Sequence, residues 1–401
     1  MPELHINPEN PLIDEKFTVK VTGLIAGQAI TIHSSVNEHG ARFAAIGCYR
    51  ADEQGVVDVT KCPSIDGTYT GTEDMGLIWS MKQEPGQEKS MRLIVRDVTK
   101  PLTVKISVYN GHLTWDSIYN QIPKTVTSSS IDRWYKAKNV KRIPVRTGQI
   151  RGALFIPEGS NKLRFEPPLG YKQWYRFDWC ISRLINGVRN SDILYWGRYK
   201  NVVSLPAGSS MTDELATYRT GVGIKSVIIV PIGSSMAYKL VTYCTGIKAV
   251  VGINGSPYPQ VPLKYGSKVI KPPEKGGFDL FSGVLGPEGI VFRDAYSHYD
   301  DNDVFKDKND FRSIAKYGLR IVCPPEKKHK ITLVEYPGAG HLLEPPYSPL
   351  CRASYVSLYG FTEVWGGQMK EHAIAQEDSW SRILSFFKLN LSQSNTKKSR
   401  L

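Results

Sequence analysis

The sequence predicts a multidomain β plus α/β chain. An antiparallel β-sandwich is expected over residues 1–140, an α/β domain over 141–390 and a flexible tail over 391–401. Three observations point there. Apolar residues alternate with polar ones in two N-terminal runs, at Phe17, Val19 and Val21 and at Leu102, Val104, Ile106 and Val108. Two later runs, KSVIIVPI (225–232) and KAVVGI (248–253), are continuously apolar. Near the end, Trp380, Ile383, Leu384 and Phe387 recur at helical spacing.

The alternating runs, with MRLIVRDV (91–98) of the same type between them, are broken by Gly, Pro and Asn. That pattern reads as short antiparallel strands with one buried face each. No chemistry is evident in this part, and a packing or substrate-shaping role is the preferred reading. The segment KNVKRIPVRTGQIRGALFIPEGS (138–160) marks the crossing to the second domain. Continuous apolar runs beyond it suit strands of a parallel sheet, which are buried on both faces. The helical spacing at 380–387 adds a closing C-terminal helix. Residues 162–220 are atypical: they hold many Arg, Trp and Tyr residues and no sustained period. A wrong exon choice across them would explain why the flanking motifs survive, and a cDNA matching this segment would refute that idea.

Bulk properties narrow the function classes. At 401 residues the chain exceeds one ordinary domain, and 41% hydrophobic with 22% charged residues is a globular composition. No run approaches 18 apolar residues, so no membrane span is expected. The polar N-terminus lacks a basic-then-apolar leader, so secretion is not expected. A net charge of +13 favours phosphate-bearing partners. Nucleic acid is not the expected one, because the chain has no Cys/His zinc pattern, no RNP motif and no dense basic block. The six cysteines are widely and irregularly spaced, which predicts free thiols. The chain ends Ser399-Arg400-Leu401, a conservative variant of the tripeptide read by the peroxisomal import receptor.

Candidate chemistry centres on His341. KITLVEY (330–336) reads as a short strand, and PGAGH follows it. A histidine in a loop beyond a late strand matches the order nucleophile, acid, histidine of α/β-hydrolases. Such a ring must accept and deliver a proton while an acid holds its other nitrogen. Upstream, GIVFRDAYSHYDDNDVF offers Asp294, Asp300, Asp301 and Asp303 as acids, most of which read as a solvated loop. The run fails the calcium-loop pattern, with Phe305 at a ligand position, and no metal site is expected. A nucleophile elbow needs small residues around Ser or Cys between a strand and a helix. Gly233-Ser234-Ser235-Met236-Ala237 is a degenerate version after KSVIIVPI, making Ser235 the candidate. Gly221-Val222-Gly223 lacks the third glycine of a dinucleotide fingerprint.

YPGAGHLLEPPYSPLC (336–351) and WGGQMKEHAIAQEDSW (365–380) together resemble the C-terminal end of bile acid-CoA:amino acid N-acyltransferases and the related peroxisomal acyl-CoA thioesterases. TGLIAGQ (22–28), CYRADEQGVVDV (48–59), GTYTGTEDMGLIWSM (67–81), RWY (133–135), IRGALFIPEG (150–159), GVG (221–223) and INGS (253–256) are similar to that family as well. The likeness spans about 10–160, 221–255 and 330–390. The Gly-Ala-Gly before His341 is nearer the acyltransferase branch.

This resemblance implies an immunoglobulin-like N-terminal domain and an α/β-hydrolase C-terminal domain. It implies acyl transfer from acyl-CoA, through an acyl-enzyme, to an amino acid such as glycine or taurine, or to water. Coenzyme A thioester would be the substrate and no cofactor is implied. His341 matches the general base, Asp301 is the best match for the acid, and a peroxisomal address fits the family, with the cytosol as a second location. Two departures stand out. The family's nucleophile, Cys or Ser, comes a few residues after Gly-Val-Gly, and there this chain holds Ile228, which cannot attack a thioester. On that alignment GSSMA falls in the helix after the elbow; a shifted gap would restore Ser235. The strand and glycine-rich loop that supply oxyanion donors are replaced by 162–220, where only Leu169-Gly170 remains. Each lost donor costs on the order of 3 kcal/mol of transition-state stabilisation. Two readings stand: an active acyl-CoA acyltransferase or thioesterase, and an impaired family member that binds acyl-CoA or a partner.

Overall fold

The structure is a computed structural model. It describes residues 1–87, 89–95, 97–145, 152–157, 194–195, 226–229, 249–253, 263–265, 268–270, 283–286, 289–292, 332, 334–343, 345–356 and 361–392. Contacts divide the chain into two units. One comprises Met1–Lys136, Leu285–Ile290 and Tyr336–Trp380, and the other Ala137–Val284, Val291–Glu335 and Ser381–Leu401.

The N-terminal part of the first unit is a β domain. Strands β1 (Glu3–Asn7), β2 (Thr18–Thr22), β3 (Ala29–Glu38), β4 (Ala41–Arg50), β5 (Val57–Asp58), β6 (Asp66–Gly67), β7 (Lys82–Gln83), β8 (Leu102–Asn110) and β9 (Thr125–Arg133) form two antiparallel sheets. One has the order β1-β2-β5 and the other β6-β4-β3-β8-β9, with β7 added on β4. Two short helices, α1 (Gly76–Trp79) and α2 (Trp115–Asn120), complete it. The alternation read from sequence is the burial pattern seen. Phe17, Val19 and Val21 are buried on and beside β2, and Leu102, Val104, Ile106 and Val108 on β8.

The longest pairing, β3 with β4, runs from Ala29–Arg50 to Glu38–Ala41. His39 (φ 51°) and Gly40 (φ 84°) close it. Two consecutive positive-φ residues give the turn whose twist matches a hairpin, and glycine meets the second at no steric cost.

Among its described residues, MRLIVRDV does not form the expected strand. Val95 and Val98 are buried, but the Met91 N–H donates to the Gln83 side chain, and Asp97 bonds the backbone and hydroxyl of Thr99. Side-chain bonds to local backbone displace ladder pairing there.

His33 sits mid-sheet, opposite Ile46 on β4 and Ser107 on β8, and is 8% exposed. Its Nε2 lies 3.4 Å from the Tyr119 hydroxyl. Burial first, then the charge of Lys105, pushes its pKa down to about 4. Between pH 6.5 and 4 the unfolded chain therefore binds a proton that the folded chain refuses, so stability falls as pH falls. The expected loss between about pH 7 and about pH 4 is on the order of 3 kcal/mol from this residue. Urea unfolding should show a smaller acid dependence in His33→Gln, which has no proton to take up.

In the second unit, β10 (Val140–Val145) and β11 (Gly152–Pro157) form an antiparallel hairpin in the segment read as a domain crossing. Strands β12 (Leu194–Tyr195), β13 (Ser226–Ile229) and β14 (Ala249–Gly252) pair in parallel, with Ile228 opposite Val251. The two continuous apolar runs are thus neighbours in a parallel sheet, as expected. Strands β15 (Leu263–Tyr265) and β16 (Lys268–Ile270) form a further antiparallel pair.

Strands β17 (Gly283–Gly286), β18 (Gly289–Phe292), β19 (Ala353–Val356) and β20 (Phe361–Val364) make a sheet of order β17-β18-β20-β19. Helix α3 (Met369–Ser392) closes the chain, as its periodicity predicted, with Trp380 and Ile383 buried. No described helix is long and apolar enough to cross a membrane.

The candidate site around His341

Thr332, Val334 and Glu335 are exposed and belong to no strand, contrary to the reading of KITLVEY. Among its described residues the segment has no sheet partner, and it ends in a turn closed by Ala339 N–H on the Tyr336 carbonyl at 3.1 Å. The Tyr336 hydroxyl donates to Asp378 on α3 at 2.7 Å. Among the described residues, the histidine loop is therefore anchored to residues C-terminal to it, on 365–368 and α3.

Small residues make that attachment possible. Gly338 has φ +79°, and a Cβ there would lie 2.9 Å from the Glu371 side chain. A Cβ on Gly340 would lie 2.6 Å from the Gly366 carbonyl oxygen. A Cβ on Gly367 (φ +99°) would lie 2.6 Å from the Gly340 nitrogen. Two backbones thus meet at van der Waals distance, which side chains would prevent. The approach is held by His341 N–H to the Trp365 carbonyl at 2.9 Å and Gln368 N–H to the Gly338 carbonyl at 2.8 Å. Gly340→Ala must push the two loops apart, and urea unfolding should register about 1–3 kcal/mol of lost stability.

The His341 ring stacks on the Trp365 indole, centroids 5.6 Å apart and planes 15° from parallel. That indole is fixed in turn, because its Nε1–H donates to Ser354 on β19 at 2.9 Å. Trp365 N–H and Gly366 N–H both donate to the Arg352 carbonyl, at 2.7 and 3.1 Å. Burial first, then the positive charge of Arg92, lowers the His341 pKa to about 4. The ring is therefore neutral at about pH 7, the form that can accept a proton.

The β domain supports this region through residues to which the sequence reading gave no role beside the histidine loop. Arg133, the last residue of β9, is fully buried. It donates to the Ile13 carbonyl and, at 3.4 Å, to the Tyr347 carbonyl. Its guanidinium lies 5.9 Å from the Phe17 ring centre and 6.0 Å from that of Tyr347. On α3, Trp380 Nε1–H donates to Asp14 at 2.9 Å. The Tyr355 N–H donates to the Ser90 carbonyl at 2.7 Å, and Lys89 lies over the Tyr355 ring at 4.2 Å.

Of the catalytic candidates named from sequence, His341 alone lies among the described residues. Ser235, Asp301 with the neighbouring Asp294, Asp300 and Asp303, the tripeptide Ser399-Arg400-Leu401, and all of 162–220 except Leu194–Tyr195 lie outside the described residues. Ile228 is placed as backbone within β13. Sequence reading missed Trp365, Arg92, His372 and Arg133 as neighbours or supports of the histidine loop. His372 and Gln376, four apart in EHAIAQ, were the one readable signal, since that spacing puts both on one helix face.

Comparison with known proteins decides the family. The acyl-CoA thioester hydrolase/BAAT N-terminal region matches residues 14–147, and the BAAT/acyl-CoA thioester hydrolase C-terminal region matches residues 324–393. Bile acid-CoA:amino acid N-acyltransferase of Homo sapiens is 32% identical over 98% of this chain and 98% of its own length. The chain belongs to the bile acid-CoA:amino acid N-acyltransferase and acyl-CoA thioesterase family. The Mus musculus protein of the same name is 33% identical, again over 98% of both chains. The peroxisomal succinyl-coenzyme A thioesterase of Mus musculus is 28% identical over 96% of both. The family's C-terminal match includes the whole PGAGH loop, the β19–β20 hairpin and α3, the elements that hold His341 here.

Proposed function

We propose that this chain is an acyl-CoA-dependent acyltransferase. It moves a bile-acid or fatty acyl group from coenzyme A to an amino acid such as glycine or taurine, or to water. The observation that carries this reading is His341, held neutral on a backbone-pinned loop inside a full-length match to acyltransferases of that chemistry. The supporting fold reading is an immunoglobulin-like domain over 1–140 and an α/β-hydrolase domain over 141–390, followed by the tail. The two antiparallel N-terminal sheets and the parallel pairing of β13 with β14 support it.

In this reading His341 takes the proton of the nucleophile as its oxygen bonds to the thioester carbonyl carbon. The tetrahedral adduct collapses, the C–S bond breaks, and His341 returns the proton to the coenzyme A sulfur. His341 then takes a proton from the acceptor amine, or from water, as that bonds to the acyl carbon; the ester C–O bond breaks and His341 returns the proton to the nucleophile's oxygen. Ser235, shortly after β13 ends, is the nucleophile, and Asp301 holds the imidazole and raises its basicity. The positive charge of the chain suits the phosphates of coenzyme A. The family, a relative named as peroxisomal, and the terminal Ser399-Arg400-Leu401 support import into peroxisomes, with the cytosol as a second location.

A second reading is favoured by one observation. The family's nucleophile position falls on Ile228, a hydrocarbon residue inside β13 and in register with Val251. If no shifted gap restores Ser235, the chain is an impaired member that binds acyl-CoA or a partner. The two readings separate in one assay. Purified protein is incubated with a bile acyl-CoA or a long-chain acyl-CoA, with and without glycine or taurine, and free thiol and conjugate are followed. Thiol release no greater than that of His341→Ala removes the enzyme reading.

A further inference from the structure

The buried face of α3 before Trp380 contains a polar pair that no catalytic role uses. His372 is 2% exposed and Gln376 is fully buried. The His372 Nδ1 accepts the Gly340 N–H at 3.0 Å. The His372 Nε2 lies 3.2 Å from the Gln376 Nε2.

The donor count fixes the chemistry of this pair. A ring nitrogen that accepts an N–H bond carries no proton, so a neutral His372 carries its proton on Nε2. Gln376 must then have its amide turned over, with Oε1 rather than Nε2 toward the ring. The opposite orientation would set two donors 3.2 Å apart and leave Oε1 buried without a partner among the described residues. Gln376 thereby holds the tautomer, and the tautomer holds the loop.

Gly340 needs this acceptor for a structural reason. Its N–H is buried at the point where the two loops meet, 2.6 Å from where a Cβ on Gly367 would lie. The flanking backbone groups are engaged elsewhere, His341 N–H on Trp365 and Ala339 N–H on Tyr336. Among the described residues, the Gly340 N–H is paired with a side chain from α3.

We propose that His372 is a positioning residue, with Gln376 as its support, that fixes the backbone immediately before His341 and so aims the His341 ring. The reactive role of that ring rests on the proposed acyl-transfer reading; the clamp itself does not. His372→Leu removes the acceptor and keeps an apolar side chain. His372→Asn keeps a carbonyl oxygen at the branch position of the histidine Nδ1.

The test pairs amide hydrogen exchange with turnover in the full chain. In the wild type the Gly340 amide, resolved by fragmenting the 336–343 peptide, should exchange at least about 100-fold more slowly than an unstructured amide. In His372→Leu that protection should be lost, and in His372→Asn most of it should return. In the thiol-release assay His372→Leu should lower kcat by about 100-fold with KM for acyl-CoA nearly unchanged, and His372→Asn should recover most of kcat. Exchange of the wild-type Gly340 amide at the unstructured rate overturns the clamp, with no variant needed. Identical exchange in the Leu and Asn variants also overturns it. If wild type and His341→Ala release thiol equally, the acyl-transfer reading fails, and the exchange result still decides the clamp.

Discussion

Replacing His341 by alanine will lower acyl-CoA-dependent thiol release by about 1,000-fold while leaving KM for the acyl-CoA nearly unchanged. In the proposed reading the ring is the general base, so its loss removes proton transfer. Equal rates for wild type and variant would take His341 out of the chemistry. The pH dependence adds a second reading of the same residue. Burial and Arg92 hold its pKa at about 4. A base must be deprotonated to act, so activity falls as pH drops through that pKa. A carboxylate on the ring's other nitrogen would raise the pKa. If Asp301 is that partner, the acid limb of kcat/KM will lie well above pH 4, and Asp301→Asn will move it down. An acid limb already near pH 4 in the wild type would exclude Asp301 from that role.

Arg133→Ala will destabilise the folded chain by about 2–4 kcal/mol in urea unfolding. Two effects compete. Burying a guanidinium is costly, and burial lowers the Arg133 pKa to about 10 despite the nearby Tyr135, Tyr347 and Asp14, which raise it. It remains charged at neutral pH. Against that cost, alanine would leave the Ile13 and Tyr347 carbonyls without the donors they have now, and a void between the Phe17 and Tyr347 rings. An unsatisfied buried carbonyl costs about 1–3 kcal/mol, so the two together exceed the relief from desolvation. Arg133→Met fills the void but restores neither donor, and should recover about half of the loss. A change below about 1 kcal/mol in Arg133→Ala would mean that the two carbonyls find water.

The sequence was legible wherever burial comes from a short local period. The alternation at 17–21 and 102–108 required strands with one buried face, and β2 and β8 are those strands. The continuous runs at 225–232 and 248–253 pointed to a parallel sheet, and β13 and β14 pair in parallel. The helical spacing from Trp380 onward is α3. Where the same reasoning failed, a local side chain had captured the backbone, as Gln83 and Asp97 did over 91–99. Over 330–336 an apolar run had no partner strand among the described residues.

The sequence by itself determined the family motifs, the β character of the first 140 residues and the choice of His341. Tertiary structure alone decided what holds that histidine. Trp365 covers its ring, His372 takes the amide before it, and Arg133 and Asp14 reach its surroundings from far earlier in the chain through Tyr347 and Trp380. A period of two or 3.6 reports which side of an element is buried, because burial repeats with the backbone. It cannot report which distant residue meets that side, because that depends on the path of the chain between them.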